Sequence, residues 1–235
     1  MLIFLDTETT GTSEFDRLCQ VAYKTEHETI CEYFKPPLPI SLEAMAVNHI
    51  TNEMVEQRLP FKNSLMYYKL ETLFADPDNI LVAHNAKFDV DMLIREGLNP
   101  TKYICTQKII KAADKTSKIK RYGLQYLRYY FNVVLKENII AHDALGDILI
   151  LEQVFFHIYN RYYYNTNPKT QILNELAELT KLPLLLHNIS FGKYKGKSFT
   201  YILECDIGYL KWLNKQPDID EDLQYTLDHY LNIKY

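Results

Sequence analysis

Leu2-Ile3-Phe4-Leu5-Asp6-Thr7-Glu8-Thr9-Thr10-Gly11 is an apolar run that ends in two acids and a glycine. Leu2 to Leu5 reads as a short strand buried on both faces. Asp6 and Glu8 are two residues apart, which on a strand turns both side chains to one face. Two neighbouring anions at the edge of an apolar core are costly unless a cation compensates them, and paired oxygen ligands suit Mg²⁺ or Mn²⁺. Gly11 supplies a permissive backbone for the turn that leaves the strand. An isolated D-x-E is more often a strand end facing solvent, so the remaining ligands must come from elsewhere in the chain.

Outward from this strand, Leu18 to Thr25 and Glu28 to Phe34 read as two more strands turning around His27. Ser41 caps a short helix through Ala46, and Thr51 caps another. Phe61, Leu65, Met66, Leu70, Leu73 and Phe74 recur at helical spacing, and Asp76-Pro77-Asp78-Asn79 is a turn. Ile80 to Ala83 is a second buried strand, after which His84-Asn85-Ala86-Lys87-Phe88-Asp89 opens a helix that stops near Gly97. Asp89 falls in its first turns, where the helix dipole favours a carboxylate; Asp91 competes with it on spacing alone. Tyr103 to Cys105 is a brief strand, with Thr106 as the cap of the next helix. Lys108, Lys111, Lys115, Lys118, Lys120 and Arg121 form a basic segment containing one acid, read equally as a solvated face or as a phosphate contact.

A long helix follows His142-Asp143-Ala144-Leu145-Gly146-Asp147. Five residues along a helix is roughly 140° of rotation. His142 and Asp147 therefore converge only if His142 sits in the loop before the helix. Tyr159, Tyr162, Tyr163 and Tyr164 end that helix, and Asn165-Thr166-Asn167-Pro168 is the clearest linker. Beyond it come a helix over about Gln171 to Lys181 and the stretch Phe191-Gly192-Lys193-Tyr194-Lys195-Gly196-Lys197, which reads as a tight hairpin exposing charge. Apolar positions at Tyr209, Leu210, Trp212 and Leu213, then Leu223, Leu227 and Leu231, supply helices to cover it. The divisions are 1–164 as the main domain, 165–183 as linker and helix, and 184–235 as a small α+β module.

Composition bounds the rest. The chain has 235 residues, 47% hydrophobic, with a net charge of −4, which disfavours non-specific coating of nucleic acid but allows an acidic metal site with local basic patches. No apolar run approaches the roughly 20 residues that span a bilayer, and the start lacks a basic n-region. Cys19, Cys31, Cys105 and Cys205 show no metal spacing, so free thiols in a reducing, cytoplasmic compartment are expected. The sequence carries no signal of oligomeric state.

Three stretches coincide in order and spacing: Asp6-Thr7-Glu8-Thr9-Thr10-Gly11, His84 to Asp89, and His142 with Asp147. Together they resemble the three motifs of the DEDDh 3′–5′ exonucleases, a ribonuclease H-like family that includes polymerase proofreading subunits and RNase T. Ala44 to Thr51 resembles the segment bordering the substrate, and the tail resembles the C-terminal module of the exodeoxyribonuclease X family. The resemblance implies a ribonuclease H-like α/β fold, with a mixed central sheet flanked by helices. It implies that Asp6, Glu8, Asp89 and Asp147 hold two Mg²⁺ ions, Mn²⁺ substituting, about 4 Å apart. His142 would then accept the proton of the attacking water, being neutral near pH 7–8.

The same resemblance implies release of nucleoside 5′-monophosphates from DNA, single-stranded 3′ ends first and duplex second, with RNA trimming as the alternative. Thr7, Thr9, His49 and Ile50 would border the terminal nucleotide, and Lys193, Lys195 and Lys197 would contact the DNA backbone. The motif glycine is often followed by an apolar wedge in this family; here Thr12 and Ser13 stand instead, with Phe15 close behind.

Overall fold

The computed structural model describes residues 1–134, 143–164, 168–217 and 219–232. Five strands form one mixed sheet in the order β3-β2-β1-β4-β5. They are β1 (Leu2–Thr9), β2 (Leu18–Lys24), β3 (Thr29–Tyr33), β4 (Ile80–Ala83) and β5 (Tyr103–Cys105). The first three pair antiparallel, while β1 with β4 and β4 with β5 run parallel. The helices are α1 (Leu42–Asn48), α2 (Asn52–Val55), α3 (Leu65–Ala75), α4 (Lys87–Arg95), α5 (Thr106–Ala113), α6 (Leu124–Tyr130), α7 (Ala144–Tyr162), α8 (Lys169–Lys181), α9 (Phe199–Cys205), α10 (Ile207–Leu213) and α11 (Glu221–Leu231).

The two-residue alternation of β1 sorts the molecule into layers. Ile3 and Leu5 join a cluster with Met66 and Leu70 of α3 and Val90, Met92 and Leu93 of α4. Phe4 faces the other way, into a cluster with Ile150, Leu151, Val154, Phe155 and Ile158 of α7. Its ring meets Phe155 edge-on at 5.6 Å. Asp6 and Glu8 continue the Phe4 face, so they point toward α7. That helix buries Ala144, Ile148, Leu151, Phe155 and Ile158, an i, i+4, i+7, i+11, i+14 stripe of the kind that seats a long helix on a sheet.

Several local expectations give way to the structure. The first strand continues through both acids to Thr9, and its pairing with β2 shifts register between Glu8 and Thr9. Such a bulge re-aims side chains beside it. The φ of Gly11 is not positive; a Cβ there would lie 2.6 Å from the Asp16 carboxylate, so closeness, not a left-handed turn, requires glycine. The helix carrying Asp89 begins at Lys87 instead of His84, because Asn85 adopts φ 60 and turns the chain first. Thr106 does not cap α5: it is buried as the first helical residue, with Cys105 in the capping position. The Phe61–Phe74 segment divides at Ser64, whose hydroxyl accepts from the Tyr67 N–H and starts α3 anew.

The tail also departs from its expected form. Phe191 to Lys197 coils through turns at Gly192 (φ 67) and Gly196 (φ 83), and a single antiparallel bridge, Asn188 to Ser198, closes it. Its core is separate from the others: Ile189, Phe199, Ile202, Leu210, Leu213, Leu223 and Leu227 pack together. Helix α8, expected within a connecting segment, contributes Ile172, Leu173, Leu176 and Ala177 to the α7 side of the main core.

Candidate active site

The acids meet where the sheet's fold predicts, beyond the carboxyl ends of parallel strands. One carboxylate oxygen each from Asp6, Glu8 and Asp147 lies within 4.8 Å of the other two. Asp6 and Glu8 come from β1, and Asp147 from the first turn of α7. Asp89 lies outside that triplet. It belongs to α4 on the opposite layer, and its Oδ1 accepts a 2.8 Å hydrogen bond from the Thr7 hydroxyl, which points to that layer. Its charge still reaches the triplet and helps to raise Asp6. Asp91 takes no part; it is exposed to solvent on one side and pairs with Lys87 at 3.1 Å.

The electrostatics follow from this crowding. Burial, then the charges of Asp89, Asp147 and Glu8, holds Asp6 well above the usual carboxylate range. Burial and the charges of Asp147 and Asp89 push Glu8 up to about 8, against a hydrogen bond from Asn48. Burial pushes Asp89 up to about 7, although the Thr7 hydroxyl opposes it. Carboxylates that raise one another in this way are stabilised as anions by a cation placed among them. Hard, clustered oxygen donors are the donor set of Mg²⁺ or Mn²⁺, so the residues fit the ions implied by the sequence.

Surrounding side chains hold the acids in place. Gln125 of α6 donates to Asp147 Oδ1 at 2.7 Å. Gln20, 1% exposed and paired with Glu8 across the sheet, donates to Asp143 Oδ1 at 2.8 Å and accepts from the Ala144 N–H at 3.2 Å. It thereby satisfies the start of α7, where Asp143 provides no side-chain cap. Asn48 is buried and donates to the Thr9 carbonyl at 3.2 Å. None of these three amides stood out in the sequence: a lone Gln or Asn carries no spacing signal.

His142 lies outside the described residues, directly before Asp143. The hydroxyls of Thr7 and Thr9 are engaged inside the protein, Thr7 with Asp89 and Thr9 with the Gly11 carbonyl at 2.6 Å. Ile50 is 2% exposed and packs with Cys19, Ile40 and Val55, whereas His49 is exposed at the left-handed end of α1. Lys193, Lys195 and Lys197 are exposed on the tail; Lys193 pairs with Asp206 at 3.1 Å. Lys108 of the basic segment is not free for phosphate. It donates to the Thr180 and Leu182 carbonyls at 3.1 and 2.8 Å and pairs with Asp222 at 3.5 Å. Phe15 is 69% exposed on the loop after Gly11.

Comparison with known proteins bears on this geometry. Residues 3–155 match the exonuclease family of RNase T type, and residues 189–217 match the exodeoxyribonuclease X-like C-terminal family. Exodeoxyribonuclease 10 of Escherichia coli strain K12 is 31% identical over 198 residues, covering 84% of this chain and 82% of that protein. Among solved structures, exonuclease X in complex with 5′ overhanging duplex DNA superposes with a TM-score of 0.60 at 24% identity, over 77% of this chain and 99% of that one. An exonuclease I structure gives a TM-score of 0.56 at 18% identity, over 74% of this chain and 42% of its own.

Proposed function

The chain belongs to the exonuclease family, and from that premise we propose that it hydrolyses DNA from the 3′ end and releases nucleoside 5′-monophosphates. The observation that carries the reading is the convergence of Asp6, Glu8 and Asp147 from two elements to within 4.8 Å, with Asp89 at their side. These four would hold the divalent ions, Mg²⁺ with Mn²⁺ able to substitute. Bound as a pair, such ions supply charge stabilisation at the scissile phosphate and at the attacking and leaving oxygens.

The chain's own residues supply the rest. His142 takes the proton of the attacking water, and its neighbour in the chain, Asp143, accepts from Gln20. Thr7 orients Asp89, and Gln125 orients Asp147. His49 borders the terminal nucleotide through its side chain, while Thr7, Thr9 and Ile50 contribute backbone at that border. Residues 1–164 with α8 form the catalytic body, and residues 184–235 form a module whose Lys193, Lys195 and Lys197 meet the DNA.

DNA in preference to RNA rests on the likeness to an exodeoxyribonuclease across both parts of the chain. A cytoplasmic setting is supported by four cysteines that are all free. Among the described residues, no helix is long and apolar enough to cross a membrane. The test is a time course with Mg²⁺ on 3′- and 5′-labelled DNA and matched RNA, single- and double-stranded. Mononucleotides released from DNA 3′ ends are expected; faster release from RNA, or attack at 5′ ends, would overturn the reading.

A further inference from the structure

The tail's surface carries aromatic rings that its own core does not use. Trp212 is 55% exposed on α10, Tyr201 is 47% exposed on α9, and Phe191 is 42% exposed in the turn. Trp212 does not stand alone. Its ring lies 5.6 Å from Tyr209, which in turn meets Tyr194 edge-on at 5.1 Å. Tyr194 and Tyr209 are half-buried against the module's core and Trp212 stands exposed beyond them, so the three rings form a ladder from α10 to the Gly192–Gly196 turn. Gly192 permits it: a Cβ there would lie 2.6 Å from the Tyr209 hydroxyl. Tyr209 thus lies with its hydroxyl against the turn, where a side chain at 192 would displace it.

Positive charge surrounds this ladder. Residues 189–217 hold five lysines against two acids, in a chain whose net charge is −4. One of the two acids, Asp206, is engaged by Lys193 Nζ at 3.1 Å and by the Tyr194 hydroxyl at 2.9 Å. Lys193 sits 4.8 Å from the centre of the Tyr194 ring, and Lys197 sits 5.4 Å from that of Tyr201. Lys211 and Lys215 are exposed to either side of Trp212 along the chain, and the Lys215 N–H bonds to the Trp212 carbonyl at 3.1 Å. Stacking faces interleaved with cations are what unpaired bases and their phosphates bind, with little sequence preference. A protein partner would need apolar area without such a density of lysine, which is depleted from protein interfaces.

We infer that the Tyr194–Tyr209–Trp212 ladder, with Lys211 and Lys215 beside it, is a stacking platform for single-stranded DNA, separate from the acidic site. The inference rests on the DNA exonuclease reading and extends it: the module holds a stretch of unpaired strand while the acids cleave another. Duplex DNA, whose bases are already stacked, is a poor ligand for the same surface.

Trp212 is the only tryptophan in the chain, so its emission reports this surface and no other. The full-length protein is titrated with single-stranded oligothymidylate in EDTA, which prevents hydrolysis. Quenching of the tryptophan is expected, with little change for a blunt duplex. Trp212→Ala should weaken binding, followed by anisotropy of a labelled strand, about tenfold. A second variant avoids dependence on that fold-sensitive change. Lys211→Gln with Lys215→Gln should flatten the dependence of log affinity on log salt by about 1.4.

Unchanged emission while the strand binds, or no binding at all, overturns the inference and assigns the rings to a protein partner. The two readings fail separately. Hydrolysis in Mg²⁺ with a silent tryptophan removes the platform alone, and a quenched tryptophan without hydrolysis removes the exonuclease reading alone.

Discussion

Thr7 shows how one hydroxyl serves an acid on the opposite layer. Its odd position on β1 turns it away from Asp6 and Glu8 and toward Asp89, to which it donates at 2.8 Å. Thr7→Val keeps the shape and removes the donor, so Asp89 should rise further and bind metal less readily. Partners of this kind usually cost 10- to 100-fold in metal affinity or activity, and a loss of about that size is expected from Mg²⁺ titrations of hydrolysis. The raised acids also set a pH dependence. With Glu8 at about 8 and Asp89 at about 7, against about 4 for an unfolded carboxyl, the metal-free native state binds more protons than the unfolded state between those limits. Stability should therefore fall as pH rises from about 4 to about 8. Mg²⁺ should raise Tm more at pH 8 than at pH 5, and thermal melts with Mg²⁺ and with EDTA check this. An equal rise at both pH values would contradict it. Asp6 and Glu8 stand out in the sequence by their D-x-E spacing, whereas Asp89 and Asp147 stand out only through the resemblance of their motifs. The split into a tight triplet and a fourth acid held apart was not, since it depends on which layer each element occupies.

Elements were legible where burial alternates cleanly, and less so where side chains bond across the fold. Helix α7 is expected from the sequence after His142, but its buried face is not read there, and its starting anchor, Gln20, is more than a hundred residues away. Gln20→Leu leaves the Asp143 carboxylate and the Ala144 N–H without this partner. We expect a cost of about 1–3 kcal/mol in denaturant unfolding, and a kcat that falls more than KM rises, because Asp147 stands in the first turn of the helix that Gln20 anchors. His84 plays a similar part at the end of β4. Its Nε2 lies 2.7 Å from the Tyr122 carbonyl, which can only accept, and its Nδ1 lies 2.8 Å from the Thr106 hydroxyl. Burial pulls the ring's pKa down to about 4, which leaves it neutral near pH 7 with its Nε2–H donating to the carbonyl. An unfolded histidine near 6.5 binds the extra proton, so the contribution of His84 is lost as pH drops from about 6.5 to about 4, opposite in sign to that of Glu8 and Asp89. His84→Gln should remove that acid-side slope, measured with Mg²⁺ present and compared with the parent.

At the scale of the whole molecule, the sequence separates a large body from a small tail but leaves their join unread. Lys108 makes that join: one ammonium meets two carbonyls at the C-terminal end of α8 and the Asp222 carboxylate of α11. In the sequence it looked like one more member of a basic run. Lys108→Met should loosen the tail, seen as faster limited proteolysis near residues 183–188, while cleavage of very short oligonucleotides stays close to that of the parent. The same end of α8 has a second task. β5 is the outer strand of the sheet, and its Cys105 N–H donates to the Thr180 hydroxyl at 3.0 Å. An outer strand left bare invites another copy to add itself alongside. A shortened chain ending at the tyrosine cluster would keep every acid yet lose this guard, and it should self-associate into extended sheets, whereas one ending just after Leu182 should stay monodisperse.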